Sequence, residues 1–239
     1  MATVFGEVAG LYDAARPPYP REIAELIGEY AQPRWLVEVG AGTGKGTETL
    51  ALLGVPMTCV EPDERMAQVL AARFPAAEVV ISTFEAWRPP PGGVPLLASA
   101  LSWHWLHEST RCRLAHDALA PGGALAVFGH QYGFADPAVK RTLDPIFGGD
   151  GMPPPEDWIT AEIGGSGLFT GVRVENLSAD VPYPTQRYLD LVQTYSSFRA
   201  RDPHDRRRLL DELRAAIDAD GGTIVMRLHT TLRLARRPA

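Results

Sequence analysis

Three glycines alternate along one short stretch of the chain, at Gly40, Gly42 and Gly44, just after the acidic residue Glu38. The apolar residues before them indicate a buried strand, and the pattern after them indicates a helix. Glycine permits tight backbone angles and the close approach of a ligand. The free N–H groups at the start of the helix can donate hydrogen bonds to that ligand. The stretch therefore predicts a ligand site at a strand end, where open α/β sheets bind their ligands.

Three kinds of glycine loop could account for this stretch. The dinucleotide-binding pattern G-x-G-x-x-G needs glycine at position 45, which is Lys45. The phosphate-binding P-loop needs glycine at position 39 and a hydroxyl at position 46, but the chain has Val39 and Gly46 there. The third pattern, E/D-x-G-x-G-x-G, is complete, with Glu38 as its acid. It is the first motif of the class I S-adenosylmethionine-dependent methyltransferases, which the chain closely resembles.

The resemblance continues at the ends of later strands. Residues 59–66 resemble the family's second strand end, whose acid holds the ribose hydroxyls of the cofactor, and Glu61 is the matching residue. A carboxylate suits a vicinal diol because it accepts two hydrogen bonds at once. Residues 82–85 resemble the adenine-side loop, and residues 119–125 resemble the structural L-x-P-G-G-x-L turn. The resemblance implies S-adenosylmethionine as cofactor, with cofactor-binding residues at Glu38, Gly40, Ala41, Gly42, Gly44, Glu61, Pro62, Met66, Thr83, Phe84, Ser99, Tyr12 and Arg16.

Two further stretches are similar to the trans-aconitate methyltransferase-like branch of that family. One is an R-P-x-Y-P sequence at 16–20, preceded by Tyr12, and the other is 99–106, which contains a His-Trp pair. This likeness implies a methyltransferase for a small molecule. Oxygen is favoured over nitrogen or carbon as the acceptor atom, and a carboxylate is one such acceptor.

His104 is the candidate catalytic residue, because it follows the fourth strand at the expected methyl end of the cofactor. It could act as an acid or base, could orient the substrate, or could pack the pocket wall together with Trp105. Arg16 could bind a carboxylate bidentately or anchor the N-terminal segment in an ion pair. The neighbouring His107 and Glu108 supply no third separated metal ligand, so no metal is expected. Candidate substrate-binding residues, which could equally be core aromatics, are Tyr19, Trp105, His130, Tyr132 and Tyr195.

Repeated strand–helix units from residue 34 onward must position these residues. They predict a parallel sheet with helices on both faces. Two late alternating segments, 168–182 and 223–234, indicate antiparallel pairing at one sheet edge. A proline- and glycine-rich stretch at 148–155 interrupts the regular pattern. The other predicted elements are strands 35–39, 57–61, 78–82, 95–101 and 124–129 and helices 45–53, 63–73, 106–119, 185–195 and 203–219.

With the resemblance, the expected fold class is α/β. It is a Rossmann-like, seven-stranded and mostly parallel sheet with an antiparallel edge strand, helices on both faces and a helical cap. One domain over 1–239 is expected. Its predicted parts are cap helices at 1–31, a cofactor-binding core at 34–130, a cap and substrate region at 131–200, and the last helix and edge strand at 201–239.

Composition narrows the possible partners. The chain has 239 residues, 45% of them hydrophobic, and a net charge of -6, so it is expected to fold and to lack a basic nucleic-acid surface. No segment has the length of a membrane span, and the N-terminus has no signal-peptide pattern. The two cysteines fit a reducing compartment. A cytoplasmic monomer or homodimer with a small-molecule substrate is expected.

A second function fits the same motifs. The chain could bind S-adenosylmethionine without transferring methyl groups, or could use the pocket for a non-methylating reaction. Glu38, Glu61 and the glycines are compatible with both functions, so the sequence leaves both open.

Overall fold

The structure is a computed structural model that describes residues 6–147 and 157–239. The predicted interruption at 148–155 lies outside the described residues. The strands are β1 (Leu36–Val39), β2 (Met57–Glu61), β3 (Glu78–Ile81), β4 (Val94–Ala100), β5 (Leu119–Phe134), β6 (Thr170–Pro184) and β7 (Thr223–Arg236). The α-helices are α1 (Ala9–Ala15), α2 (Glu22–Ala31), α3 (Lys45–Leu50), α4 (Glu64–Arg73), α5 (Arg111–Ala118), α6 (Pro137–Phe147), α7 (Trp158–Gly165), α8 (Thr185–Gln193), α9 (Ser196–Arg199) and α10 (Pro203–Ala219).

The strands form one sheet in the order β3-β2-β1-β4-β5-β7-β6. β1 pairs in parallel with both β2 and β4, so the direction in which the chain adds strands reverses between β1 and β4. Such a switch point leaves a crevice at the carboxyl ends of the strands. The glycine loop starts at the carboxyl end of β1, so the fold places it at this crevice. The Rossmann-like, mostly parallel architecture expected from the sequence is confirmed.

The predicted antiparallel pairing at one sheet edge is also confirmed, with β7 antiparallel to both β5 and β6. The last strand is not itself the outermost one, however, because β6 lies outside it. The burial of the two strands explains the order. Every second residue of β7 is buried, whereas most residues of β6 are exposed. The more apolar strand therefore lies between two neighbours.

β5 extends well beyond its parallel neighbour. Its pairing with β4 ends at Ala100 and Phe128, but its pairing with β7 continues as far as Phe134 and Met226. β6 pairs with β7 over the same stretch. Residues 129–134, 226–231 and 176–181 thus form an antiparallel extension beyond the carboxyl edge of the parallel strands, called the strand wall below.

Helices hold the sheet and the wall in place. α2 buries Ile23 and Ile27 against the sheet. α1 packs instead against α4 and α8, next to the crevice. A separate apolar cluster, which includes Leu213 of α10 and Tyr188 of α8, packs around the far part of the strand wall. No helix in the two described ranges is long and apolar enough to cross a membrane.

Two predicted boundaries were wrong, one for a local reason and one because of distant strand pairing. The predicted helix 106–119 begins only at Arg111, because the side chains of Ser109 and Thr110 bond to His107 and stabilise a turn. The predicted strand 124–129 is part of a strand that runs from Leu119 to Phe134, since β7 supplies partners far along the chain. Region 131–200, predicted as a cap and substrate region, also contributes the end of β5 and all of β6 to the sheet.

Candidate active site

A cavity of about 1150 Å³ opens at the switch point. Its lining comes from the glycine loop, the segments after β2, β3 and β4, the strand wall, and helices α1, α6, α8 and α9. Pockets for one small ligand usually measure about 300–1,000 Å³. The cavity is therefore large enough to hold two ligands side by side.

Most of the predicted site residues meet in this cavity. They come from separate parts of the chain, and the fold brings them to one place. The cavity is lined by Tyr12, Arg16, Tyr19, Gly40, Ala41, Gly42, Glu61, Pro62, Met66, Thr83, Phe84, His104, Trp105, His130, Tyr132 and Tyr195. Three predicted cofactor-binding residues, Glu38, Gly44 and Ser99, are not part of the lining.

Glu61 is held in place by the glycine loop. The backbone N–H of Gly42 donates to Glu61 Oε2 at 2.8 Å, and the N–H of Asp63 donates to Oε1 at 2.9 Å. Gly42 adopts φ 58°, a left-handed conformation that glycine reaches without strain. Burial raises the pKa of Glu61, and the two backbone hydrogen bonds act against that increase. Because each oxygen has used one lone pair, the carboxylate can still accept hydrogen bonds from a ligand.

Glu38, one of the predicted cofactor-binding residues, lies beneath the loop and not at the cavity surface. The side chain is fully buried, and Oε2 accepts a hydrogen bond of 2.5 Å from Thr47 Oγ1. Oε1 has no hydrogen-bond partner within the described residues. A Cβ at Gly46 would lie 2.2 Å from Oε1, so glycine is needed there to make room for the carboxyl group. Glu38 therefore supports the loop from inside the protein.

Glu38 gives a prediction about pH. Burial raises its pKa to about 8, the nearby Glu61 charge adds to this, and the Thr47 hydrogen bond acts in the opposite direction. An unfolded chain has a glutamate pKa of about 4.3, so between roughly pH 4 and 8 the folded protein holds one more proton, and its stability falls as pH rises. Glu38→Gln stays neutral and keeps the acceptor for Thr47. The stability of this variant relative to the native protein should increase by up to about 1.4 kcal/mol per pH unit from pH 5 to 8.

Chemical denaturation of the cofactor-free native and Glu38→Gln proteins at several pH values would measure this difference. A difference in unfolding free energy that stays constant with pH would contradict the assignment. Glu78→Gln, at an exposed acid on β3, serves as the matched control and should show no such pH trend.

Gly44 and Ser99 also support the loop from behind. Gly44 is the N-cap of α3 at φ 94°, and a Cβ there would lie 2.6 Å from Phe74. The Ser99 hydroxyl lies 2.7 Å from Ser102 Oγ, which donates to Val39 O at 2.7 Å. Both residues therefore act on the shape of the loop and do not face the cavity.

Arg16 is surrounded by aromatic rings and hydroxyls. Its Nε donates to Thr194 Oγ1 at 2.8 Å, Nη2 donates to Thr194 O at 3.1 Å, and Nη1 donates to Tyr132 Oη at 3.3 Å. The guanidinium carbon also lies 4.9 to 5.6 Å from the ring centroids of Tyr12, Tyr132 and Tyr195. Across the described ranges no carboxylate is within ion-pair distance of Arg16. Arg16 therefore anchors the N-terminal segment through hydrogen bonds to hydroxyl and carbonyl oxygens, and not through the ion pair that was one of its predicted roles.

His130 uses both ring nitrogens within the protein. Nδ1 lies 2.7 Å from Thr230 Oγ1, and Nε2 lies 3.1 Å from Pro18 O. Since a carbonyl only accepts, Nε2 carries the proton and Nδ1 accepts from the threonine. Burial lowers the pKa of His130 to about 4, and the charge of Arg16 acts in the same direction. His130 is therefore neutral, and with Tyr19 stacked on it at 4.2 Å it contributes a flat surface to the cavity.

His104 lies at the edge of the cavity in the turn after β4. Its ring is 4.9 Å from that of Trp105, whose side chain is 43% exposed. Desolvation by the surrounding protein lowers the pKa of His104 although the residue is exposed on one side, and the charge of Arg111 adds to the decrease. Leu101 precedes this turn with φ 51°, an unusual conformation for a side chain branched at Cγ. At neutral pH His104 is an uncharged group that can accept or donate a hydrogen bond.

Several lining residues were not predicted. Lys45 and Ser102 are next to predicted positions, so extending the loop and the strand-four segment by a few residues would have included them. The others follow from distant pairing and helix packing that leave no local signal. They include Phe134, Lys140, Asp144, Phe147, Tyr188, Arg201, Met226 and His229.

Known proteins are similar to this chain along most of its length. Residues 37–127 match the family described as "Methyltransferase domain". An uncharacterized methyltransferase of Mycobacterium tuberculosis is 29% identical over 216 residues, which are 90% of this chain and 85% of the relative. A trans-aconitate 2-methyltransferase of Paracidovorax citrulli is 42% identical over 97 residues, 38% of this chain and 37% of the relative. The solved structure of a candidate type II methyltransferase from Anaeromyxobacter dehalogenans has a TM-score of 0.71 at 23% identity, covering 94% of this chain and 99% of that chain.

Residues 37–127 carry this methyltransferase domain, and the fold, the complete glycine motif and the relatives together support a class I S-adenosylmethionine-dependent methyltransferase. S-adenosylmethionine is accordingly its cofactor. The residues present fit this group. Glu61 presents a fixed carboxylate with free lone pairs, which suits a ribose diol. The buried Thr43 hydroxyl in the glycine loop has no partner in the described part of the chain.

Proposed function

We propose that this methyltransferase acts on an oxygen atom of a small molecule, and that this acceptor is a carboxylic acid. The observation that carries the proposal is Arg16, a guanidinium on the cavity wall without a carboxylate partner among the described residues. Three of its five N–H groups are used by protein oxygens, and the remaining two are on Nη1 and Nη2. N–H groups on a charged guanidinium form strong hydrogen bonds with a carboxylate.

The chain's own residues contribute mainly by holding the acceptor in place. S-adenosylmethionine supplies an electrophilic methyl group, which an acceptor carboxylate oxygen takes to give a methyl ester and S-adenosylhomocysteine. A carboxylate is already ionised at neutral pH, so no side chain has to remove a proton. Neutral His104 then orients the acceptor, while Tyr19 and Trp105 limit its position. Positioning of two reactants in this way can supply an effective molarity of about 10⁵ M or more.

The partners, the cellular compartment and the oligomeric state of the enzyme belong to the same proposal. The net charge of -6 supports a small-molecule substrate and no nucleic-acid partner. Both cysteines are free and buried, which supports a reducing cytoplasm. We propose a monomer or homodimer there.

The test is acceptor-dependent formation of S-adenosylhomocysteine from labelled S-adenosylmethionine. Purified protein is incubated with matched panels of carboxylic acids, phenols and amines. Turnover should occur with acids and should give base-labile methyl esters. Turnover of amines alone would contradict an oxygen acceptor. Tight cofactor binding without turnover in any panel would favour the alternative function, binding without methyl transfer.

A variant can distinguish the acceptor atoms further. His104→Asn keeps a hydrogen-bonding side chain but cannot accept a proton near neutral pH. It should lower kcat with a phenol, whose proton must leave, more than kcat with a carboxylic acid. An equal loss with both acceptors would mean that His104 only orients the acceptor or packs the wall.

A further inference from the structure

The strand wall carries a row of aromatic side chains along the cavity. Successive side chains of a strand point to opposite faces, so His130, Tyr132 and Phe134 share one face of β5. Opposite Phe134 on β7 is Met226, whose side chain is on that same face. At about 3.3 Å per residue, the row extends roughly 13 Å from His130 to Phe134. The cavity therefore continues well beyond the residues expected to meet the cofactor.

The far end of this row is apolar. Phe134 and Met226 line it together with Phe147 of α6 and Tyr188 of α8. The rings of Phe134 and Tyr188 are 6.1 Å apart. Such a surface gains free energy when an apolar group displaces water from it.

The cationic side chains near this end already interact with other groups of the protein. Lys140, which is exposed, pairs with Asp144, and Arg201 donates to Phe147 O at 2.8 Å. Arg16, by contrast, contacts Tyr132, the middle residue of the row. An anion bound at Arg16 would thus lie between the cofactor end of the cavity and its apolar end.

We propose that the acceptor is an amphipathic carboxylic acid with an extended apolar chain or ring system. Its carboxylate binds at Arg16, and its apolar body lies along the strand wall against Phe134 and Met226. This inference rests on the proposed function, because it takes Arg16 as the carboxylate site. Compact polycarboxylates such as trans-aconitate would leave the apolar end filled with water, and they bind weakly.

Calorimetry on the full chain saturated with S-adenosylhomocysteine tests the binding of an amphipathic acid without requiring turnover. The probes are butanoate, octanoate, dodecanoate below its micelle-forming concentration, and trans-aconitate. Affinity should rise by roughly threefold for each methylene that reaches the wall, and trans-aconitate should bind more weakly than octanoate. Affinity that is independent of chain length, or tightest binding by trans-aconitate, would overturn the proposal while leaving carboxylate methylation intact. If no acid binds and only phenols or amines are methylated, the proposed function fails as well.

A matched pair of variants locates the apolar body. Phe134→Ala should lower dodecanoate affinity by roughly tenfold and leave butanoate affinity unchanged. Val225→Ala, next to Met226 but 40% exposed, is the control and should change neither affinity. Phe134→Leu keeps an apolar side chain, so it covers the case in which the alanine variant unfolds. Phe134→Leu should lower dodecanoate affinity by a smaller factor, roughly threefold, because leucine offers less apolar surface than phenylalanine. Equal affinity of the native and Phe134→Ala proteins for dodecanoate, or of the native and Phe134→Leu proteins where the alanine variant does not fold, would refute the assignment of the wall.

Discussion

Replacing Arg16 with glutamine should raise the KM for the acid acceptor by about 10- to 100-fold, with little change in the dissociation constant of S-adenosylmethionine. Hydrogen bonds to a charged group contribute about 1.5–3 kcal/mol, and glutamine removes both the charge and the paired N–H groups. Steady-state kinetics with the best acid from the panel would measure KM, and calorimetry would measure cofactor affinity. An equal loss of cofactor affinity would place Arg16 in the cofactor wall instead.

Two controls separate acceptor binding from the anchoring role of Arg16. Arg16→Lys keeps the charge but not the planar fork, so its KM should lie between those of the native protein and Arg16→Gln. Thr194→Val removes the hydroxyl that accepts from Arg16 Nε and leaves the guanidinium intact. It should lower the melting temperature without the large KM increase. A KM increase in Thr194→Val as large as that in Arg16→Gln would show that Arg16 acts only by anchoring the N-terminal segment.

Replacing Glu61 with alanine should weaken cofactor binding by about 10- to 100-fold. The variant loses the acceptor for the ribose hydroxyls, and it also leaves the N–H groups of Gly42 and Asp63 without their partner. Calorimetric titration with S-adenosylmethionine measures the effect. Unchanged affinity would mean that the ribose binds elsewhere in the cavity.

The neighbouring Glu64 provides the control for Glu61. Its side chain is exposed in the first turn of α4, so Glu64→Ala should bind the cofactor like the native protein. Because burial raises the pKa of Glu61, acidification should protonate it and weaken cofactor binding in the native protein. Glu61→Gln, which cannot ionise, should lose most of that dependence on pH. If cofactor binding by Glu61→Gln still depends on pH, another group causes the effect.

The cofactor half of the site could be predicted because its signals are local in sequence. Gly40, Gly42 and Glu61 follow directly from strand–loop–helix units, and each lies on the cavity where the motif predicts it. The orientation of a side chain within such a unit is less predictable. Glu38 occupies the motif position, but Thr47 and Gly46 give its carboxyl group a place beneath the loop, which only packing decides.

The acceptor half was predicted less completely because its pairings are distant. Residues 130–134 resemble a loop in sequence, with glycine at 133, and they become a strand because β7 pairs with them about a hundred positions later. The sequence did indicate His130 and Tyr132 as pocket residues. Nothing in the sequence indicated that Phe134 lies on the same face of β5 as His130 and Tyr132, because that face depends on the pairing register with β7.

The hydrogen bonds of His130 have a consequence for the order of assembly. One ring joins Pro18 to Thr230, so segments from opposite parts of the chain close around the same side chain. A growing chain acquires the glycine loop and Glu61 within its first third, but it acquires this junction only after β7 has joined the sheet. Contacts so distant in sequence form late, because the intervening chain must first be ordered. The glycine loop can thus form before the strand wall, and a chain that stops before β7 would lack one wall of the proposed acceptor site.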